Sequence, residues 1–439
     1  MGAQTTNASS REPWWYSWWH SGLLSQHLLL LACAAGVAGL LASRALVALS
    51  PVTGVIAALA NPALGRALGQ WLRLRTVWAP AALYYLLLLS GFYTEQWGVW
   101  RHETFRLLPW LGVPLAFGVA VPLSQRQRFG IGLLYVGGTV LIGLATLGQY
   151  FLDPAAANKA FGLGQSLSSV TGIFHIHFGL MLALAAFFAL LLRRNALVAP
   201  ALRLGLLLAA SLCVLTLHLL AYRTGLLVFY VMAVLDALHL IMRRRLLLGL
   251  GVLLLLVAAP WIAYHTLGSV HQRMDATIWD VQQIQLGHDI NEYSLSRRIA
   301  AWQTALTISE AQPWLGVGSA DAYVAMMDQY SWKDFGLRPE NRVMVHNQYL
   351  HQLLGGGIVG LCLWLLVLFG PFMQPSLRRN PYVYHFLLME ATAMLVDSLL
   401  ELQIGFNLFV FLYGFIVVAT ERRVSQEAET LKPSALPTV

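Results

Sequence analysis

The 439-residue chain is 58% hydrophobic and only 11% charged, with a mean hydropathy of +0.63. Soluble domains carry about 25% charged residues, so a soluble globular protein is excluded. A dozen spans of roughly 20 residues would use about 240 residues, leaving one sizeable loop and no large second soluble domain. The net charge of +8 would suggest nucleic acid in a soluble chain, but here the arginines cluster between apolar runs and read as topology signals, so nucleic acid is not an expected partner.

Residues 1–23 form an N-terminal cytoplasmic or interfacial segment. Trp14, Trp15, Trp18 and Trp19 recur at helix-like spacing beside Arg11, which suits the headgroup layer. The apolar stretch that follows outruns a signal-peptide core and leads straight into a second span, so cleavage is not expected. The Asn7-Ala-Ser sequon would lie in the cytoplasm, unused. Apolar runs then predict nine spans within 24–265, near 24–43, 45–61, 77–92, 107–123, 130–151, 168–192, 201–221, 224–242 and 246–265. Residues 266–345 make one long hydrophilic loop with helical patterning. Three further spans, near 347–370, 382–400 and 404–420, fall within 346–423. The tail 424–439 is polar, carries Pro433 and Pro437, and is expected to be disordered. The fold class is thus all-α and polytopic, with about 12 transmembrane helices.

With the N-terminus inside, 17 positive charges fall in inner segments and five in short outer loops, Arg44, Arg101, Arg106, Lys159 and Arg223. That bias places both termini in the cytoplasm and the 266–345 loop outside. Cys33, Cys213 and Cys362 lie in apolar segments with no CxxC spacing, so they read as packing residues. No duplicated half-pattern of broken spans marks an inverted-repeat transporter.

Charged groups at the edge of a span are costly and therefore candidates for function. Arg223 stands in Ala-Tyr-Arg-Thr-Gly-Leu with almost no loop between two apolar runs. Its plainer alternative, a snorkelling arginine at a helix start, is the lesser reading. At the same outer level come His175 and His177, an interfacial polar patch rather than a metal pair, and Asp397, Glu401 and Gln403. In the long loop, Leu295, Ile299, Trp302 and Leu306 recur at helical spacing and leave Arg298 on the flank of that stripe. Pro313-Trp-Leu-Gly-Val-Gly reads as a turn, with Gly316 and Gly318 permitting close backbone approach. The loop ends in His346-Asn-Gln-Tyr-Leu, which predicts His346 in the first turn of the next span.

Alone, such a histidine is a capping residue. In company with two arginines on the same outward face it acquires a chemistry: the positive end of a helix suits a neutral imidazole able to accept a proton. Arginine forks grip phosphate oxygens bidentately and stay charged. Arg223 and Arg298 would hold a diphosphate while His346 takes the proton of an attacking hydroxyl. That set describes group transfer from a lipid diphosphate to an alcohol. No Asp-x-Asp or Asp-x-x-Asp pair in an outer loop offers a cage for a divalent cation.

These features resemble the O-antigen ligases and the wider O-antigen ligase/polymerase superfamily of bacterial inner-membrane glycosyltransferases. The resemblance rests on Arg223 in Arg-Thr-Gly-Leu-Leu, Arg298 with Trp302, Pro313-Trp-Leu-Gly-Val-Gly, His346-Asn-Gln-Tyr-Leu and the span layout. It implies a C-type glycosyltransferase-like fold and transfer of an O-antigen glycan from undecaprenyl diphosphate to lipid A–core oligosaccharide. Transfer would occur at the periplasmic face of the inner membrane, with inversion and with neither metal nor cofactor. It also implies His346 as catalytic base, Arg223 and Arg298 on the donor diphosphate, and Asn347, Tyr349 and Asp397 beside the substrate. Asp397 matches an acidic residue about fifty positions after the histidine, although Glu401 is near. Membrane lipids are the remaining partners, and a monomer is the expected working unit.

Two relatives share the donor chemistry, an O-antigen polymerase and a protein O-oligosaccharyltransferase. The short tail and the mildly charged outer segments 91–106 and 152–167 favour the ligase. A transporter of a lipid-linked glycan is the alternative of another class, distinguished by not needing His346.

Overall fold

The computed structural model describes residues 14–162, 165–195, 198–286, 289–333 and 335–430; Asn7, Arg11 and residues 431–439 lie outside them. Every regular element among the described residues is helical. The first half comprises α1 (Trp14–His20), α2 (Leu23–Ala42), α3 (Arg44–Leu59), α4 (Leu64–Trp71), α5 (Trp78–Ser90), α6 (Trp97–Arg106), α7 (Pro109–Val119), α8 (Gln125–Leu152), α9 (Pro154–Gly162) and α10 (His175–Leu192). Then follow α11 (Pro200–Leu219), α12 (Arg223–Met242), α13 (Leu246–Thr266), α14 (Gly268–Leu286), α15 (Ser294–Ala311) and α16 (Ala322–Trp332). The chain closes with α17 (Gln348–Phe369), α18 (Pro375–Arg378), α19 (Pro381–Ala393), α20 (Gln403–Leu412), a π-helical stretch (Tyr413–Val418) and α21 (Ala419–Thr430).

Eight helices are long and apolar enough to cross a membrane, or nine if the α3–α4 pair, bent by 117°, is one broken span. The protein is an integral membrane protein, with fewer full-length spans than the dozen expected. The difference has a local cause. Runs read as spans at 77–92, 107–123 and 382–400 yield α5, α7 and α19, of 13, 11 and 13 residues. At 1.5 Å per residue these cover about two thirds of a bilayer core or less. Hydropathy counts apolar residues but does not register where the backbone turns. The tail differs as well: residues 424–430, expected to be disordered, continue α21.

Helix α10 is apolar all round, and 89% of it is buried inside the bundle, as such a helix requires. Helix α13 is equally apolar but only 11% buried, so Leu247 and Leu254 face outward. Ends are fixed chemically. Ser124 and Gln127 form a capping box on α8, Asn347 caps α17, Asn380 caps α19, and Pro109, Pro200 and Pro381 occupy first turns.

Two interruptions shape the end of the molecule that carries His346. The first is inside α17, where Gly357 adopts φ +61°. There the loop 313–318 replaces the lost helical partners: Val317 and Gly318 amides donate to Leu354 and Gly355 carbonyls at 2.9 and 3.1 Å. In return, the Ile358 and Val359 amides donate to the Pro313 and Trp314 carbonyls at 2.8 and 3.2 Å. The second lies between α19 and α20, where 394–402 leaves the helix and makes only a short 3₁₀ turn at Leu399–Glu401. Segment 266–345 is itself helical, and α15 and α16 close a small second core around Ala301, Ala305, Met326 and Tyr330.

Candidate active site

His346 is not in the first turn of α17. It precedes the cap Asn347 and adopts φ +45°, a left-handed conformation uncommon outside glycine. What enforces it is the cap. Asn347 Oδ1 accepts from the Tyr349 and Leu350 amides, each at 3.0 Å, and its Nδ2 donates to the Leu395 carbonyl at 2.9 Å. The Asn347 amide donates to Ser398 Oγ at 3.1 Å, the Gln348 amide to the Met394 carbonyl at 2.9 Å, and the Leu400 amide to Gln348 Oε1 at 3.0 Å. On the other side Trp302 Nε1 donates to the Val345 carbonyl at 2.8 Å. Residues 345–348 are thus laced between α15 and the unwound 394–400 strand of backbone.

That lacing delivers Asp397 to the histidine. Asp397 Oδ1 lies 2.8 Å from His346 Nδ1 and also accepts the Ser398 amide at 3.0 Å. Burial raises the Asp397 carboxyl, but the hydrogen bond from His346 and the charges of His346, Arg298 and His177 outweigh it and hold it below the usual carboxylate range. An ionised carboxylate only accepts, so Nδ1 carries the proton of this bond and Nε2 of a neutral ring is left as the acceptor. Nε2 has no hydrogen-bond partner among the described residues. The imidazole is partly open, 38% exposed, whereas the carboxylate is 8% exposed.

Arg298 comes to the same place from α15: its Nη1 donates to the Val396 carbonyl at 2.6 Å, one residue before Asp397. Arg223, at the start of α12, donates to Thr277 Oγ1 at 3.1 Å and is otherwise open to solvent. The charges of Arg223 and Arg298 act on each other, and both, with Asp397, act on His175. The structure therefore brings together Arg223, Arg298, His346 and Asp397. It gives Asn347 and Tyr349 a framework position, since the Tyr349 hydroxyl donates to the Ala391 carbonyl at 2.9 Å.

A third guanidinium went unread in the sequence. Arg273, 4% exposed, donates to the Phe161 carbonyl at 3.2 Å and to Ser166 Oγ. Burial, and then the charge of Arg223, lowers its pKa to about 9. A signal existed: Ser269, Arg273, Thr277 and Asp280 recur at four, four and three residues, a polar stripe on one face of α14. Asp280 is spent on the start of α15, accepting from the Leu295 amide at 2.7 Å and the Ser296 hydroxyl at 2.6 Å. Among the described residues no carboxylate forms an ion pair with Arg223, Arg273 or Arg298. Such a basin favours a polyanion, and two to three forks match the oxygens of a diphosphate.

His177 is buried beneath Leu399, its Nε2 3.5 Å from that carbonyl, and does not share the basin's open surface. Glu401 lies 3.1 Å from His351 and 3.9 Å from Arg106, apart from the His346–Asp397 pair. No group of three or more His, Cys, Asp or Glu among the described residues could hold a metal ion.

Comparison with curated proteins gives no match. Residues 168–365 match a family model described as O-antigen ligase. That stretch holds Arg223, Arg273, Arg298 and His346 and stops short of Asp397. Over this region, from the start of the central helix to the span that follows His346, the chain is similar to the O-antigen ligase family.

Proposed function

We propose that the protein transfers an O-antigen glycan from undecaprenyl diphosphate to a hydroxyl of lipid A–core oligosaccharide, at the periplasmic face of the bacterial inner membrane. The family goes with ligase- or polymerase-type chemistry on a lipid-linked glycan. The observation that carries the mechanism is the 2.8 Å bond from His346 Nδ1 to Asp397, which leaves Nε2 to receive a proton beside an unpaired arginine cluster. In the step, the acceptor hydroxyl attacks the donor anomeric carbon from the face opposite the diphosphate and its proton passes to Nε2. The carbon–oxygen bond to the diphosphate breaks as the new glycosidic bond forms, so configuration inverts. Undecaprenyl diphosphate leaves with the electron pair, and its negative charge falls on Arg223, Arg298 and Arg273. Asp397 holds the ring in one tautomer and balances the imidazolium that forms, the part a carboxylate plays beside a histidine base. The arginines supply the positive charge that a divalent cation provides in other transferases, and no metal is part of the scheme.

The experiment is transfer of labelled glycan from purified undecaprenyl diphosphate donor to lipid A–core in detergent with EDTA present. Wild-type protein gives product, and His346→Ala lowers turnover by roughly 10²-fold or more with donor binding retained. Chain lengthening without transfer to the core would assign the polymerase instead. Full function of His346→Ala would leave a transporter, and product formed only after magnesium is restored would overturn the metal-free scheme.

A further inference from the structure

The end of the bundle opposite His346 holds a cavity lined by none of the basin residues. Helix α10 starts with His175 in the basin and ends at Leu192 on this cavity, 18 residues or roughly 27 Å away. The cavity encloses about 280 Å³ between α8, α10 and the last span. Its mouth is polar, with Arg128 and Arg423 beside Gln125 and Asn380; its depth is apolar, with Phe129, Tyr135, Phe188, Leu412, Phe415 and Ile416.

Three observations point to an occupant. The charges of Arg128 and Arg423 repel one another, and the carboxylate whose charge reaches both is Glu427, which is exposed and forms no ion pair with either. The adjacent Glu421 is spent on the Arg75 and Thr76 amides at 2.9 and 3.0 Å and on Gln374. Arg422 adds a third guanidinium, committed to the Phe117 carbonyl at 3.1 Å. The last span is moreover π-helical over Tyr413–Val418, where Phe415 and Ile416 line the cavity. A π stretch gives up helical hydrogen-bond geometry, and such stretches cluster at functional sites. Finally, Arg128 and Tyr135 stand seven residues apart on α8, so the apolar part runs roughly 10 Å inward from the charge. A cationic rim over an apolar slot matches an anionic head joined to a hydrocarbon chain.

We propose that this cavity binds an anionic phospholipid, its headgroup against Arg128 and Arg423 and a segment of one acyl chain between α8 and the π-helical stretch. The site is separate from the diphosphate basin and does not depend on the ligase reading. Two guanidiniums at a membrane surface are worth on the order of tenfold or more in preference for an anionic over a net-neutral headgroup.

The test uses full-length protein in nanodiscs of phosphatidylethanolamine containing a minor fraction of phosphatidylglycerol. Each lipid is supplied in turn with a photoactivatable diazirine at mid-chain. With labelled phosphatidylglycerol, cross-links concentrate on peptides spanning 128–135 and 411–416. With labelled phosphatidylethanolamine they fall about tenfold at those peptides but not elsewhere. Arg128→Gln/Arg423→Gln abolishes the difference between the two lipids. Cross-links spread evenly over the lipid-facing helices, or equal labelling by both lipids in the wild type, overturn the proposal. Both are read on unmodified protein, so a variant that fails to fold does not blunt the test.

Discussion

Asp397 is the residue on which the proposed chemistry turns, because a histidine lacking it would have neither fixed tautomer nor a counter-charge. Asp397→Asn keeps the volume and removes the charge. Turnover is expected to fall roughly 10²- to 10⁴-fold at nearly unchanged KM for the donor, measured by steady-state transfer. The same residue carries a pH signature with a definite sign. Its folded pKa is depressed below the ordinary 3.8, so the pair stabilises the protein above that value and loses the stabilisation as pH falls through the lower folded pKa. The wild type should therefore melt above Asp397→Asn at neutral pH, with the gap closing in strong acid. A gap that persists unchanged in acid would argue that the charge of Asp397 contributes nothing.

Among elements, α17 depends on its interruption. Gly357 has φ +61°, and a Cβ there would strike the Trp314 carbonyl and the Leu315 amide; Gly316, at φ +65°, faces the same contact from the loop side. Gly357→Ala combines a strained backbone with a clash against main chain, and is expected to cost several kcal/mol. Gly370→Ala, where a Cβ meets nothing within 4 Å, should leave the melting temperature close to wild type. Thermal unfolding in detergent compares the two. This element also shows how far a sequence can be read. Arg223 and His346 were legible because a polar group at the edge of an apolar run announces itself, and Arg298 because it flanks the apolar stripe of Leu295, Ile299, Trp302 and Leu306. The Gly355-Gly356-Gly357 break was not, since three glycines are too few to take an otherwise apolar span out of the range of a membrane helix. Arg273 was missed for the opposite reason: in a hydrophilic segment an arginine is unremarkable until the polar stripe of α14 is traced. The shortness of α5, α7 and α19 escaped because backbone turns within apolar sequence carry no charge to mark them.

For the whole molecule, the arginine bias leads us to propose an orientation with the His346 end outside and the Arg128–Arg423 end inside. A cysteine at Trp332, 87% exposed on the His346 side, is expected to react with a membrane-impermeant maleimide on intact spheroplasts. One at Arg244, at the other end of α12, should react only after lysis. The reverse pattern would invert the proposed topology and place the arginine basin in the cytoplasm.

The pairing of His346 with a partner 51 positions later carries a consequence for biogenesis. During synthesis the histidine, all three basin arginines and the whole family-matched region are made first, yet the proposed base has no carboxylate partner until residue 397 follows. If the proposed roles hold, a nascent chain halted anywhere between them would present a cationic basin able to grip a lipid-linked glycan and unable to transfer it. On the proposed mechanism, activity would therefore switch on late, with the insertion of the final helices.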